Sequence, residues 1–466
     1  MQIRVKFFGA SGTVTGSRFL LEIDDFRLLV DCGLFQGIKE LRLLNWEPFP
    51  IDPARIDAVL LTHAHIDHTG YLPKLVREGY NGPVYCTAAT EDLMHIMLLD
   101  AAKLQEEEAD WARKKGYSRH DNPQPLYRTE DAERVFPLIK SFNYRSEFNI
   151  HPKVSARFLN AGHILGAATA ELTILGDSQT KKIVFSGDLG RYDDPMLFPP
   201  EAPPEADILF VESTYGAKPN PMNHPQDELA DIINRAFERG GCLLIPAFSV
   251  GRTQLLMYYM RELIEKGSIP ECPVYVDSPM AISVTALHKK HAGLHRLSEF
   301  DLDHQHSVFD YRNIHYKRSQ EESIELNYIR KGAIIISASG MCTGGRILHH
   351  LYNRLQREED TLLFVGYQAE GTRGRRILEG EPTVKMFGYE IPVKSNIEKI
   401  EGLSAHADQG ELMRWLGNFG EAPKMTFIVH GERPVSEHFA GLVHRELGWN
   451  TKVPEIGEAV ELFRGI

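Results

Sequence analysis

Cysteine is scarce in this sequence, and its spacing argues against the usual cysteine-based sites. The five cysteines are scattered along 466 residues, and no two of them form a Cys-x-x-Cys pair. Neither a disulfide framework nor a thiolate zinc site is therefore indicated. We expect small core residues of a protein in the reducing cytoplasm, at Cys32, Cys86, Cys242, Cys272 and Cys342.

Long hydrophobic runs and an excess of basic charge are also missing. No apolar stretch approaches the length of a membrane span, and residues 1–8 alternate as a strand does rather than forming a signal peptide. The net charge is −12, from 52 basic and 64 acidic side chains, which argues against bulk attraction of nucleic acid. A polyanion surface must therefore be local. Its candidates are Arg252, Arg346 and residues 289–290 and 373–376, each with a solvated face as the alternative.

The densest chemistry lies in a short loop that carries His63, His65, Asp67 and His68. An apolar, strand-like run precedes the loop, and a helix start follows it. A strand that ends in a tight loop aims several side chains at one point, as a two-metal hydrolytic centre requires. A solvated loop is the alternative, but burying these groups without a metal would cost several kcal/mol in desolvation. We therefore predict a metal site here.

Three later segments share one pattern, in which an apolar strand leads to a metal-competent residue with glycine beside it. These residues are His163, Asp188 and His430. Taken singly, each is as readily a cap or a turn residue. Together with the loop at 63–68 they favour one shared metal centre.

The order of predicted elements changes twice along the chain. Strands dominate residues 1–90, a helix is predicted at 88–108, and strands return between 156 and 186. From residue 208 strands and helices alternate, which predicts a parallel sheet flanked by helices, interrupted by a long loop at 296–322. For His430 to join the earlier ligands, this segment must be an insertion. We predict a metal-binding domain at 1–205 and 393–466, with an inserted domain at 206–392.

The sequence resembles the metallo-β-lactamase superfamily and, more closely, its β-CASP branch of nucleic-acid-processing hydrolases. It is similar to the prokaryotic relatives of the nuclease subunit of the cleavage and polyadenylation specificity factor. Besides the metal loops, three segments carry the resemblance, at residues 211–216, 246–254 and 402–408. The implied fold is α/β, a metallo-β-lactamase αββα sandwich with an inserted parallel-sheet β-CASP domain.

The resemblance implies two Zn²⁺ ions and a division of the ligands between them. The first ion would take His63, His65 and His163, the second Asp67, His68 and His430, and Asp188 would bridge the two. The chemistry of the side chains agrees with this division, because imidazoles and carboxylates suit zinc.

The resemblance also implies a reaction and its catalytic groups. A hydroxide held by the zinc ions attacks an RNA phosphodiester in line, and Asp67 orients it or takes its proton. His406 protonates the leaving oxygen, while Glu212 fixes the tautomer and charge of that imidazole. The structural alternatives are a helix N-terminal histidine and a strand-end turn residue. Weaker expectations for phosphate contacts are Ser404, the backbone at Ala405, Arg252 and Ser337.

The function implied by the resemblance is a cytoplasmic, zinc-dependent ribonuclease of RNA processing or decay. Its expected partner is single-stranded RNA, with no membrane, and a homodimer is left open. A DNA-directed nuclease is a near alternative. A hydrolase of small esters, thioesters or lactams on the same metal core is another, although it leaves Glu212, His406 and the insertion without a use. Endonuclease and exonuclease action stay open, and a non-catalytic scaffold is disfavoured by the intact ligand set.

Overall fold

The polypeptide builds most of one unit, then a second, and finally returns to the first. The computed structural model describes residues 1–115, 122–218, 225–302 and 307–465. One compact unit joins Met1–Pro219 to His406–Ile466, and the other comprises Asn220–Ala405. The second unit starts and ends later than the predicted insertion at 206–392. The reason is strand pairing, because residues 208–212 pair within the first unit and residues 396–399 within the second.

The strands of the described chain are β1 (Gln2–Phe7), β2 (Phe19–Ile23), β3 (Phe26–Val30), β4 (Ala58–Leu60), β5 (Val84–Thr87), β6 (Ile139–Phe142), β7 (Glu147–His151), β8 (Val154–Asn160), β9 (Ala168–Leu175), β10 (Thr180–Phe185), β11 (Ile208–Glu212), β12 (Leu243–Pro246), β13 (Val274–Asp277), β14 (Ile314–Tyr316), β15 (Ile334–Ser337), β16 (Thr361–Phe364), β17 (Thr383–Met386), β18 (Tyr389–Pro392), β19 (Asn396–Lys399), β20 (Met425–Val429), β21 (Thr451–Lys452) and β22 (Ala459–Arg464).

The α-helices are α1 (Lys39–Leu43), α2 (Ile66–Thr69), α3 (Leu72–Arg77), α4 (Ala88–Lys115), α5 (Thr129–Glu133), α6 (Pro225–Glu238), α7 (Arg252–Glu265), α8 (Pro279–Lys290), α9 (Glu299–Leu302), α10 (Gln320–Glu325), α11 (Ile347–Arg354), α12 (Arg373–Leu378), α13 (Gln409–Leu416) and α14 (Arg433–Leu447). Among the described residues, none of these helices combines the length and the apolar character needed to cross a bilayer.

Two sheets pack face to face in the first unit. Their strand orders are β22-β1-β2-β3-β4-β5-β6 and β21-β20-β11-β10-β9-β8-β7. Phenylalanines from both inner faces interlock: the Phe7 ring lies 5.2 Å from Phe427, and Phe19 lies 5.8 Å from Phe185. Each buried ring contributes about 1.5–3 kcal/mol. Because α4 packs on β5 and β6 while α14 packs on β20 and β21, helices cover both outer faces and the unit is an αββα sandwich.

The second unit contains the predicted parallel sheet. Its order is β14-β13-β15-β12-β16-β19, and every pairing within it is parallel. The long loop predicted at 296–322 is wrong for the described part of this stretch, which contains α9, β14 and the start of α10, with β14 paired to β13 at the edge of the sheet. Three residues are too few to give a readable alternation, which is why the sequence did not predict this strand. Residues 303–306 of the predicted loop lie outside the described residues.

Parallel pairing brings the ligand-bearing strand ends of the first unit to the same edge. β11 pairs in parallel with β10 and with β20, and Glu212 lies opposite Val429. In the other sheet β3 pairs in parallel with β4, with Val30 opposite Leu60. The residues that follow each of these strands therefore emerge on the same side, where the candidate site lies.

Candidate metal centre

Three imidazoles converge in a first ligand group. The Nε2 atom of His63 lies 3.1 Å from Nδ1 of His65, and Nε2 of His163 lies 3.2 Å from the same atom. Oδ2 of Asp188 is 3.5 Å from Nε2 of His63 and 3.6 Å from Nε2 of His163. These four side chains have donor atoms close enough together to hold one ion.

A second group is formed by Asp67, His68 and His430. The two imidazoles face each other, with their Nε2 atoms 3.2 Å apart. Oδ2 of Asp67 lies 3.4 Å from Nε2 of His430 and 3.8 Å from Nε2 of His68. The two groups bring together the residues that the sequence analysis assigned to two ions, and their binding of metal stays a prediction.

Asp188 connects the two groups through its two oxygens. While Oδ2 faces the first group, Oδ1 lies 3.4 Å from Nε2 of His68 in the second. The carboxylate is 2% exposed, and among the described residues Oδ1 accepts no hydrogen bond. A buried carboxylate oxygen without a donor calls for a cation. The position suits a bridging ligand.

Hydrogen bonds from neighbouring side chains fix which ring nitrogen of His63 and of His68 carries the proton. Nδ1 of His68 lies 2.8 Å from Oδ2 of Asp31 and donates to it. The hydroxyl of Thr62 donates its proton to Asp31 at 2.9 Å. The hydroxyl oxygen of Thr62 therefore accepts from Nδ1–H of His63, at 3.1 Å. Each arrangement leaves the Nε2 lone pair of the histidine free to face a metal.

Thr214 orients the histidine supplied by the last part of the chain. Its hydroxyl donates to the carbonyl of His430 at 3.1 Å and therefore accepts from Nδ1 of that ring, also at 3.1 Å. His430 itself has a φ of +49°, a left-handed conformation that costs a non-glycine residue about 1–3 kcal/mol. Strain of this kind persists only where the surroundings hold the residue in place.

The spacing of the nitrogens fits zinc. With Zn–N bonds of about 2.05 Å in a tetrahedron, neighbouring ligand nitrogens lie about 3.3 Å apart. The nitrogens observed here are 3.1 to 3.2 Å apart.

The electrostatics differ between the two groups. Burial lowers the pKa of His63 well below its ordinary value and that of His65 to about 4, so both rings are neutral, as metal ligands must be. For His68 burial acts in the same direction, but Asp188, Asp31 and Asp67 outweigh it and raise the pKa well above 6.5. The carboxylates around His68 thus favour a positive charge, which a metal ion supplies.

A third cluster lies beside the bridging carboxylate. Nδ1 of His406 is 3.1 and 3.2 Å from the two oxygens of Glu212, while its Nε2 is 4.0 Å from Oδ2 of Asp188. Glu212 is 1% exposed and also accepts from the backbone N–H groups of Leu189 and Thr214, at 2.6 and 3.2 Å. Burial opposes protonation of His406, but Glu212 and then Asp188 raise its pKa to about 9.

The four weaker candidates for phosphate contacts belong to the second unit. Arg252 begins α7 and is buried, and Ser404 is buried in the segment after β19. Ser337 ends β15 opposite Pro246, so it lies at the carboxyl edge of the parallel sheet. Its hydroxyl donates to the carbonyl of Asp277 at 3.1 Å, which commits its only proton. The phosphate roles of these residues and of Ala405 stay predictions.

Sequence reasoning missed the residues that orient the histidines. Asp31 follows β3 and lies two residues before a glycine, so it would have been found by a slightly looser form of the pattern that singled out Asp188. Thr62 and Thr214 carry no such signal. Threonine at a strand end is common, and only the fold brings these hydroxyls to a ring nitrogen.

Comparison with known proteins places this geometry in a family. Three family profiles match the chain: a metallo-β-lactamase superfamily domain at 20–197, a β-CASP domain at 253–377, and a Zn-dependent metallo-hydrolase RNA specificity domain at 390–454. Ribonuclease TTHA0252 of Thermus thermophilus is 37% identical over 437 residues, which are 92% of this chain and 93% of the relative. The chain belongs to the β-CASP family of the metallo-β-lactamase superfamily. This confirms the resemblance and the fold predicted from it.

Two further comparisons differ in how much they support. Transcription termination factor FttA of Methanosarcina mazei is 33% identical over 476 residues, covering 99% of this chain and 72% of that protein. A solved structure of a protein of unknown function from Enterococcus faecalis V583 matches with a TM-score of 0.54 and 13% identity, covering 99% of this chain and 100% of that one. At that identity the likeness supports the fold alone.

Proposed function

We propose that this protein is a metal-dependent ribonuclease that hydrolyses RNA phosphodiester bonds in RNA processing or decay. A relative named a ribonuclease aligns with nearly the whole chain, and the C-terminal profile is described as an RNA specificity domain. The observation that carries the proposal is His406, a histidine held protonated beside the carboxylate that joins the two ligand groups.

The proposed centre holds two zinc ions. The first would be held by His63, His65 and His163, the second by Asp67, His68 and His430, with Asp188 shared. When bound, such ions polarise a phosphodiester and lower the pKa of water to near neutrality, which supplies the nucleophile.

His406 is the proposed general acid. Its Nδ1–H donates to Glu212, so the proton on Nε2 is the one that is donated to the leaving oxygen of the phosphodiester. The transfer leaves a neutral imidazole, and Glu212 keeps the ring in the orientation and tautomer that the next proton requires. The charge of Glu212 also stabilises the protonated ring before transfer.

Asp67 has a second proposed task besides ligation. Its side chain is 20% exposed, whereas that of Asp188 is 2% exposed, so Asp67 is the carboxylate that reaches solvent. A carboxylate in that position orients the attacking oxygen through a hydrogen bond or accepts its proton.

The proposed substrate is single-stranded RNA. His63, His163 and Asp188 are at most 2% exposed, so the scissile phosphate must descend toward buried ligands. A single strand can bend into such a site more easily than the rigid backbone of a duplex. Phosphate contacts by Ser404, Ala405, Arg252 and Ser337, a homodimer and a cytoplasmic location stay predictions.

The proposal is tested by incubating the purified protein with end-labelled RNA, single-stranded DNA and a thioester, with and without a chelator. We expect RNA cleavage that the chelator abolishes and added zinc restores, with two zinc ions per chain by elemental analysis. Labels at opposite ends of the RNA separate endonuclease from exonuclease action. Cleavage of the thioester but of neither nucleic acid would overturn the proposal.

A further inference from the structure

One exposed apolar surface of the first unit takes no part in the site described above. Leu43, Leu44 and Trp46 are 50%, 36% and 56% exposed, and no other four residues in a row of the described chain include three such open, large apolar side chains. α1, to which Leu43 belongs, buries none of its residues. Contiguous apolar exposure of this kind marks a contact surface. These three side chains are called the Trp46 surface below.

Hydrogen bonds of Asn45 hold the backbone of the Trp46 surface in place. Asn45 is buried, and its side chain bonds both main-chain groups of Phe35, at 2.9 and 2.8 Å. The carbonyl of Asn45 accepts from Nζ of Lys74 at 2.7 Å. Because the backbone between the exposed side chains is held in this way, a partner that binds them has less chain entropy to remove.

The loop after β3, to which Asn45 is bonded through Phe35, also packs against the loop that carries the candidate metal ligands. The N–H of Leu34 donates to the carbonyl of Ile66 at 2.9 Å. Gly33 lies so close to Asp67 that a Cβ on it would come within 1.6 Å of the Asp67 carbonyl oxygen. The segment that leads to Trp46 therefore rises directly from the backbone that packs against a ligand.

Two cations accompany the apolar side chains. Lys39 and Arg42 are three residues apart in α1, and Leu43 is four residues after Lys39, so the three share one face of the helix. Both cations are exposed, and neither forms an ion pair within the described chain. An apolar and aromatic surface with uncommitted cations beside it matches a single nucleic-acid strand, whose bases are flat and apolar and whose backbone is anionic.

We propose that the Trp46 surface binds the RNA strand next to the scissile phosphate, with a base stacked on the indole and backbone phosphates facing Lys39 and Arg42. This inference rests on the proposed function and adds a substrate contact to it. Every base has a π face, so the contact is indifferent to sequence. A second copy of this chain is the other occupant that an apolar surface admits. It gives no role to the two cations or to the position beside the ligand loop.

The test compares Trp46→Ala and Trp46→Phe with Trp111→Ala, which removes a tryptophan that is 46% exposed on α4. KM and kcat are measured on a single-stranded RNA and on an oligomer of equal length with abasic ribose around the cleavage site. We expect Trp46→Ala to raise KM for the RNA roughly tenfold, as for the loss of one stacked base, and to leave KM for the abasic oligomer unchanged. Trp46→Phe should restore most of the affinity, and Trp111→Ala should match the wild type.

Equal KM values for the wild type and Trp46→Ala, or an equal rise on both oligomers, would overturn the proposal. So would a loss of self-association in Trp46→Ala, measured by sedimentation, without a change in KM for RNA. Failure of the wild type to cleave RNA would defeat the proposed function instead. Anisotropy of labelled RNA with the same variants then still tests the contact, because it needs no turnover.

Discussion

His406 lies between two carboxylates that act on different nitrogens of its ring. Glu212 binds Nδ1, and Asp188 lies 4.0 Å from Nε2 on the side of the metal ligands. Burial by itself would lower the pKa of the imidazole, so the value of about 9 depends on these negative charges, with Glu212 the larger contributor. The protonated state of the ring at neutral pH is thus maintained by a residue that is not a predicted metal ligand.

Glu212→Gln tests this dependence through the pH profile of RNA cleavage. The raised pKa means that His406 is protonated below about pH 9 and loses its proton as the pH rises through that value. Without the charge of Glu212 the pKa falls toward the ordinary 6.5, so activity should be lost at a lower pH than in the wild type. The measurement is kcat/KM from mildly acidic to alkaline pH.

His406→Asn is the companion variant, since it removes the acid altogether. We expect cleavage to fall by about 10² or more at every pH, the usual contribution of a general acid, with zinc content unchanged. An alkaline limb that stays in place in Glu212→Gln would contradict the proposed role of the glutamate. Zinc loss in His406→Asn would identify this histidine as a ligand instead of an acid.

Single residues differ in how far the sequence revealed them. His63, His65, Asp67 and His68 were evident because four metal-competent groups occur in one loop. Thr62 was not, because its contribution is a hydrogen-bond direction, which depends on Asp31 arriving from another strand. Composition and spacing carry the identity of a ligand, whereas the tautomer of a ligand is a property of the folded neighbourhood.

At the scale of elements, the loop after β3 and the loop after β4 support each other. The two strands are parallel neighbours, so their following loops leave the sheet side by side. The N–H of Ser17 also donates to the Asp67 carbonyl, at 2.9 Å. The ring of Phe35, in the loop after β3, packs against Gly16. A position in the first loop therefore controls the shape of the second.

Gly33→Ala should disturb the ligand loop without altering any ligand. The added methyl would meet the Asp67 carbonyl oxygen at 1.6 Å, so the backbone of one loop must shift. We expect a destabilisation of about 1–3 kcal/mol and less than two zinc ions per chain. Gly293→Ala is the matched control, since nothing lies within 4 Å of a Cβ there. Wild-type zinc content and unfolding midpoint in Gly33→Ala would refute the coupling of the loops.

Elements with a strong period were predictable and short ones were not. α7 shows why a long helix is readable from sequence, because its fourteen residues give a clear period and it begins just after the glycine at 251. β14 and the hairpin of β17 and β18 escaped prediction, since strands of three or four residues depend on a neighbour to pair with rather than on their own pattern.

At the scale of the molecule, the proposed metal ligands come from segments far apart in sequence. His68 and His430 are 362 residues apart, and their Nε2 atoms are 3.2 Å apart. The sequence predicted this return, because the same strand-and-glycine pattern occurs on both sides of the alternating segment. It could not give the boundaries of the second unit, which are set by the partners of β11 and β19 and not by local composition.

Removal of metal should therefore loosen both ends of the first unit together. Bound zinc at 100 times its dissociation constant stabilises the folded state by about 2.7 kcal/mol per site. We expect a chelator to lower the unfolding midpoint and to increase hydrogen–deuterium exchange both at 63–68 and around His430, with reversal by zinc. Faster exchange at 63–68 alone would indicate that His430 does not bind the metal.

The late position of His430 also affects when activity can first arise during synthesis. A chain on the ribosome presents the first ligand group once it has passed Asp188, but the second lacks an imidazole until residue 430 has left the exit tunnel. Under the proposed function, a nascent chain beside its own messenger RNA would hold an incomplete centre until translation is nearly finished. Truncated products would likewise be released without a working nuclease site.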